Sequence, residues 1–364
     1  MKMKELNIGG LRIPSAIIQG GMGVGISLSG LASAVANEGG VGIISAAGLG
    51  MLYKETPDYL ANCISGLRQE IRKARQKSSG ILGVNIMVAL TNYDDLVRTS
   101  IEEGIDIVIS GAGLPLDLPK YLTPGCKTRL VPIVSSGRAA ALICNKWLAN
   151  YNYLPDAVIV EGPKAGGHLG FKLDQIFDEN YALEKLIPEV VKAVNDIALV
   201  NGKDIPVIAA GGIYSGSDIV KIMKLGASGV QMGTRFVTTD ECDASIEFKQ
   251  AYLDAKKEDV KIIRSPVGMP GRAIKSPFLD EVEAGKRQPK NCPVNCIRTC
   301  DINTAPYCII ASLTSALRGN FRRGYAFAGS NVWRTNKIIP VKELMNTINQ
   351  EYHAYLAKDE LVSC

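Results

Sequence analysis

No stretch of this chain approaches the roughly 18 consecutive apolar residues that a membrane-spanning helix needs. The N-terminus carries lysines, but Asn7, Gly9, Gly10 and Arg12 interrupt any apolar core of an export signal. Charge of one sign is not concentrated either: 41 Lys and Arg stand against 36 Asp and Glu, a formal +5 spread along the sequence. The densest basic stretch, Arg68 to Lys77, falls at helical spacing with Glu70 inside it. It predicts a solvated helix face rather than a nucleic-acid footprint. The nine cysteines are odd in number and show no regular extracellular disulfide spacing. With no export signal, they point to a reducing cytoplasm. Aromatic residues are sparse at 6%, and histidine occurs only twice.

What the chain has in quantity is glycine, 37 residues of it, and short apolar runs. The runs are Ser15–Gln19, Val41–Ser45, Ile81–Met87, Asp106–Ser110, Arg129–Ser135, Ala157–Val160, Pro206–Ala210 and Gly229–Met232. Each has strand length, and continuous apolar character fits strands buried on both faces of a parallel sheet. Amphipathic stretches separate them: Leu28–Asn37, Asp58–Lys77, Tyr93–Glu103, Gly137–Ala149, Leu183–Leu199 and Ser217–Leu225. The segment between the fourth and fifth runs is short for a helix. Eight strands in about 220 residues predict an α/β protein, a closed (β/α)8 TIM barrel over residues 1–240. An open doubly wound sheet is disfavoured, because Gly21-Met22-Gly23-Val24-Gly25 does not complete the G-x-G-x-x-G spacing. After residue 240 the alternation stops. Residues 241–364 read as a helical and irregular C-terminal extension packed on the barrel as a cap. It holds a helix over Asp243–Lys257, a Pro/Gly-rich loop over Arg264–Gly271, and a helical stripe of Val341, Leu344, Met345, Ile348 and Tyr352.

Barrel function collects at the C-terminal strand ends. Gly211-Gly212 and Gly233-Thr234 follow the seventh and eighth runs, where backbone N–H groups can approach a phosphate. Ser215 and Ser217 are candidate caps or further donors. After the sixth run comes Glu161-Gly162-Pro163-Lys164-Ala165-Gly166-Gly167-His168-Leu169-Gly170. His168 has no apolar face to bury it there. An imidazole near neutral pH can accept a proton or hydrogen-bond a developing anion. His353, on the C-terminal stripe, reads as a packing or surface residue.

With Ile18-Gln19-Gly20-Gly21-Met22, Gly83-Val84-Asn85, Ala165-Gly166-Gly167-His168, Ala209-Ala210-Gly211-Gly212-Ile213 and Gln231-Met232-Gly233-Thr234-Arg235-Phe236, the chain resembles the nitronate monooxygenase family. That family was formerly called 2-nitropropane dioxygenases, and includes the FMN-dependent enoyl-acyl-carrier-protein reductases. The resemblance implies FMN as cofactor. Backbone atoms of Gly21 and Met22, with Asn85, would meet the flavin ring, Glu161 and Gly166 its edge, and Gly211, Gly212, Gly233 and Thr234 the phosphate. Gln231 matches a flavin contact and His168 the active-site histidine. Ser135-Ser136 stand where some members carry a Lys at the end of strand five. The implied activity is oxidation of alkyl nitronates by O2 to carbonyl compounds and nitrite. One alternative is an NAD(P)H-dependent reductase of enoyl thioesters or quinones; another is a non-catalytic flavin-binding redox sensor. The partners are thus a small-molecule substrate and O2, with no nucleic acid or membrane, and an oligomer is compatible.

Cys292, Cys296, Cys300 and Cys308 form a C-x3-C-x3-C-x7-C segment. Pro293 suits a first helical turn, and four-residue spacing would then align the thiols on one stripe. The spacing matches neither a common zinc pairing nor the ferredoxins. Metal binding, redox activity and packing are all open to it.

Overall fold

In the computed structural model, which describes residues 3–362, eight parallel strands form the barrel. They are β1 (Ile17–Gln19), β2 (Gly42–Ser45), β3 (Leu82–Met87), β4 (Ile107–Gly111), β5 (Arg129–Val134), β6 (Val158–Glu161), β7 (Val207–Ala210) and β8 (Gly229–Met232). Each pairs with its sequence neighbour, and β8 returns to β1 through Val230↔Ile17. A parallel bridge, Ile18↔Val41, closes the ring between β1 and β2. β2, β4, β7 and β8 are buried along their whole length, because one face fills the barrel interior and the other meets helices. This is the TIM barrel that the eight apolar runs predict. An N-terminal hairpin, Leu6–Ile8 with Leu11–Ile13, turns on the left-handed Gly9 and Gly10. Arg129, the first residue of β5, donates to Gly9 O at 2.6 Å, so the hairpin lies at the end of the barrel opposite the active face.

The outer helices are α1 (Ser29–Asn37), α2 (Tyr59–Lys77), α3 (Tyr93–Glu102), α4 (Gly137–Tyr151), α5 (Leu183–Val200) and α6 (Gly216–Lys224). Side-chain caps fix several starts: Asp58 for α2, Ser136 for α4, and a Ser215–Asp218 capping box for α6. The β4–β5 crossover carries only a short 3-10 turn, Leu118–Tyr121. Trp147 reaches across from α4 to donate its indole N–H to Pro115 O at 2.9 Å. The basic face of α2 is paired rather than simply solvated. Arg68 and Arg72 bind Glu103 at 2.8 and 2.7 Å, and Arg75 binds Asp106.

Beyond β8 the chain forms α7 (Thr234–Val237), α8 (Ile246–Asp254), β9 (Val260–Arg264), β10 (Pro270–Ile274), α9 (Pro277–Glu283), α10 (Ile309–Leu317) and α11 (Val341–Val362). Three sequence expectations change here. The helix expected from Asp243 starts only at Ile246, because the Asp243 carboxylate instead accepts the N–H groups of Leu28, Gly30 and Leu31 at the start of α1. The Pro/Gly-rich loop is the turn of a β-hairpin, and β10 pairs onward with the two-residue strand Gly167–His168. No helix forms over the cysteine segment. Asn295 takes a left-handed φ of 43°, and backbone groups of residues 295–298 bond to the β3–α3 loop instead of to each other. The C-terminal stripe does form α11. Val341, Leu344 and Ile348 are buried, and α11 is tied to the barrel through Arg235–Glu351 and the Gly216 N–H on Glu351.

Candidate active site

The eleven residues singled out from the sequence line one cavity of about 250 Å³ at the C-terminal mouth of the barrel. From β1, the buried Gln19 accepts the Ile43 N–H at 2.9 Å and pins the turn that follows. Gly21 then passes so close to β3 that a Cβ on it would sit 2.3 Å from the Asn85 Cβ. The Met22 N–H donates to Ser27 Oγ at 2.8 Å and its carbonyl accepts the Ser27 N–H. The backbone of Met22, expected from the sequence to meet the ring, is therefore used internally, which leaves its side chain to face the cavity.

Across the mouth, Gly211 and Gly212 hold φ values of 96° and 83°, which a side chain rarely adopts. A Cβ on Gly233 would meet only the Met22 thioether, at 3.4 Å, so this glycine borders open space. Thr234 Oγ1 accepts the Gly329 N–H at 2.9 Å, which leaves its hydroxyl proton to donate. Asn331 Nδ2 binds Gly212 O at 2.6 Å, so residues 329–331 wall this corner. Gln231 is 8% exposed, and its buried Oε1 has no protein partner. Such an orphaned acceptor beside a cavity is what a missing donor on a ligand would leave. Ser215 and Ser217 bond to one another at 2.8 Å, and Ser215 caps α6. The N-terminus of that helix is already occupied by Asp218 and Glu351 carboxylates.

Glu161 ends β6, and His168 lies on the strand segment that pairs with β10 at Gly271. Both are half-buried and line the cavity. Burial raises the Glu161 carboxyl to about 7 and lowers the His168 imidazole to about 4, so each is pushed towards its neutral form. His168 Nε2 lies 2.7 Å from Ser265 Oγ, and its ring meets the edge of Phe327 at 5.0 Å. Ser265 Oγ also accepts the Val267 N–H at 3.3 Å. A Ser265 proton donated to Nε2 would leave the imidazole proton on Nδ1. The buried Arg272 donates to Pro163 O at 3.0 Å and fixes the start of the histidine loop.

Sequence reasoning missed the roof. Tyr252, Tyr325, Phe327 and Asn331, all from the extension, also line the cavity. Ser265 fell inside the loop that the sequence marked, but its partner lies 97 residues away, and no local pattern encodes that pairing. Ser135 binds Gly170 O at 2.9 Å and Ser136 caps α4, so both serines have structural partners. His353 packs its ring against Tyr352. A second cavity of about 210 Å³, with Leu114, Ile133, Val134 and Met269 on its walls, shares Glu161 and His168 with the first.

A TIM barrel with a glycine-lined mouth, an orphaned acceptor and two half-buried titratable groups of opposite kind fits the class that the family match gives, a TIM-barrel oxidoreductase. The family model for nitronate monooxygenase matches residues 4–351, and the chain belongs to that family. A probable nitronate monooxygenase of Bacillus subtilis is 27% identical, over 92% of this chain and 95% of its own length. A hydroxy-methyl-oxo-octahydroindene-carboxyl-CoA dehydrogenase of Mycobacterium tuberculosis is 30% identical, over 76% of this chain and 67% of its own. The solved structure of FabK from Thermotoga maritima superposes with a TM-score of 0.71 at 28% identity, covering 95% of this chain and 94% of that one. Among the described residues no helix is long and apolar enough to cross a membrane.

Proposed function

We propose that the chain is an FMN-dependent nitronate monooxygenase that oxidises alkyl nitronates with O2 to a carbonyl compound and nitrite. The observation that carries the cofactor is the unpartnered Gln231 Oε1 in a cavity that is also lined by Gly212, Gly233 and Thr234, whose hydroxyl proton is left to donate. These residues fit a flavin. Gly211, Gly212, Gly233 and Thr234 would hold its phosphate, Gln231 would accept from its ring, and Gly21, Met22, Asn85, Glu161 and Gly166 would border the ring. Bound FMN supplies the electron acceptor and the reactivity towards O2.

A nitronate is already an anion, so the protein has to bind it, orient it and keep water away. His168 suits that task as a neutral donor. Ser265 occupies Nε2, and Nδ1–H is left for a nitronate oxygen. An imidazole held at about 4 is a poor proton acceptor at neutral pH, so hydrogen bonding rather than proton abstraction is its role here. Glu161, raised to about 7, presents an uncharged carboxyl below that pH and tolerates the anion. Above it, the carboxylate repels the substrate, and KM for a nitronate is expected to rise. His168→Ala, which removes the donor to the anion, should lower nitronate turnover by roughly 100-fold or more while FMN stays bound. Flavin-loaded protein that releases no nitrite from a panel of nitronates in air, without NAD(P)H, would sink this reading.

One observation favours a second reading, reduction of an acyl thioester. The adjoining apolar cavity opens on Glu161 and His168 and has room for part of an acyl chain. Rapid anaerobic bleaching of the flavin by NADH or NADPH, followed by reoxidation with an enoyl thioester, would select it.

A further inference from the structure

The cavity of about 210 Å³ beside the main one shares four residues with it: Ala112, Ile133, Glu161 and His168. It therefore opens on both titratable side chains of the site. Ala112, directly after β4, takes a φ of 52°, which a residue with a Cβ rarely adopts. Strain of this kind is kept where a site requires the chain to turn.

The walls of this side cavity are apolar. β5 contributes Ile133 and Val134, the first turn of α4 Ala139, the loop after β4 Leu114, and the β9–β10 turn Met269. The hydroxyl of Ser135, which also lines it, donates to Gly170 O at 2.9 Å. Leu114 is 42% exposed, so the cavity reaches the protein surface beside it. Among the described residues that line either cavity none is Lys or Arg, and Glu161 is the only acid. A charge carried in on the far end of a substrate would lose its water and find no counter-ion. A hydrocarbon would instead gain about fourfold in affinity for each methylene taken out of water. An apolar cavity of about 150 Å³ holds a benzene ring, so this one holds roughly six to eight carbons.

We propose that the side cavity binds the tail of the substrate, and that the chain takes nitronates ending in an uncharged hydrocarbon of about six to eight carbons in preference to those ending in a carboxylate. The head group rests on the nitronate reading, with the anion at His168 and the tail passing between Ala112 and Ile133. The acyl chain of a thioester would use the same space, so the tail site stands apart from the choice of head group.

The test reads binding and turnover separately on the flavin-loaded full chain. Straight-chain carboxylates serve as inert probes, because they carry the same planar anion as a nitronate. Calorimetric titration from acetate to decanoate should give dissociation constants that fall about threefold to fourfold per methylene and level off beyond about eight carbons. Adipate, as long as hexanoate but charged at both ends, should bind at least about 10-fold more weakly. Nitronates of straight-chain nitroalkanes should show the same ladder in kcat/KM for nitrite release. Ala139→Phe, which fills the cavity, should cut the ratio of hexanoate to acetate affinity by at least about 10-fold. That ratio, taken within one preparation, cancels any loss of folded protein. Leu114→Lys, at a half-exposed position, should raise adipate relative to hexanoate by about fivefold. Affinities flat with chain length, adipate binding as tightly as hexanoate, or a ladder unaltered in Ala139→Phe would each overturn the proposal. An intact carboxylate ladder with no nitrite from any nitronate would uphold the tail site and remove the nitronate reading alone.

Discussion

Ser265→Ala isolates the positioning of His168 from the rest of the site. Ser265 does not line the main cavity, and its hydroxyl lies 2.7 Å from His168 Nε2. Removing it leaves a buried imidazole nitrogen without a partner, at a cost of about 1–3 kcal/mol. It also removes the hydrogen bond that, on the proposed reading, sets the ring proton on Nδ1. If that proton serves the substrate anion only when correctly placed, the loss falls on kcat/KM, by roughly 5- to 150-fold. FMN content should match the unaltered protein, because the groups proposed to hold the phosphate lie in another corner. Ser265→Thr, which keeps the hydroxyl, should recover much of the rate. The chain's two histidines make a direct readout practical: 15N spectra of the imidazoles contain only two ring systems, His168 and His353. The Nδ1–H signature assigned to His168 should be lost in Ser265→Ala and kept in Ser265→Thr. An alanine variant with unaltered kcat/KM and an unaltered tautomer would refute the argument.

Gly233→Ala should fold normally, since its Cβ would make only an ordinary contact with Met22, yet bind FMN at least about 10-fold more weakly because the methyl occupies the proposed phosphate corner; fluorescence titration of the apo-protein checks it, and unchanged affinity would move the phosphate elsewhere. Gly21→Ala should instead lower the melting temperature, because its Cβ would collide with Asn85. The pH dependence of stability offers a further check. Glu161 is raised to about 7, so the folded chain binds more protons than the unfolded one between about 4.5 and 7, and stability falls as pH rises through that window. His168 is lowered to about 4, so its contribution is lost as pH falls from 6.5 to about 4 and gained as pH rises. The two slopes oppose each other over most of that range. Glu161→Gln should therefore expose the His168 slope, a gain with rising pH of at most about 1.4 kcal/mol per unit, in denaturant titrations at several pH values. A variant whose stability is flat from pH 4 to 6.5 would show that His168 is not held neutral by burial.

The amino-acid sequence by itself determined the barrel and the floor of the site. Strands buried on both faces must be apolar throughout, so the runs that became β1 to β8 were visible as hydrophobicity alone. The residues at their C-terminal ends were then placed by the topology of a parallel barrel, which brings Gly21, Asn85, Glu161, Gly211 and Gly233 to one mouth however far apart they lie in the chain. Residues after 240 obey no such rule. Their partners are the barrel's own loops, through single hydrogen bonds such as His168–Ser265, Thr234–Gly329 and Gly212–Asn331, and no periodicity records a contact of that kind. The cysteine segment shows this most clearly. Its spacing suggests a helix, but pairing with the β3–α3 loop and the left-handed Asn295 satisfy its backbone another way. Tertiary structure alone decided that the extension roofs the site and that His168 is held by a serine from β10's hairpin. It also decided that Glu161 and His168 are both drawn towards neutrality, because that depends on how deeply the fold buries them.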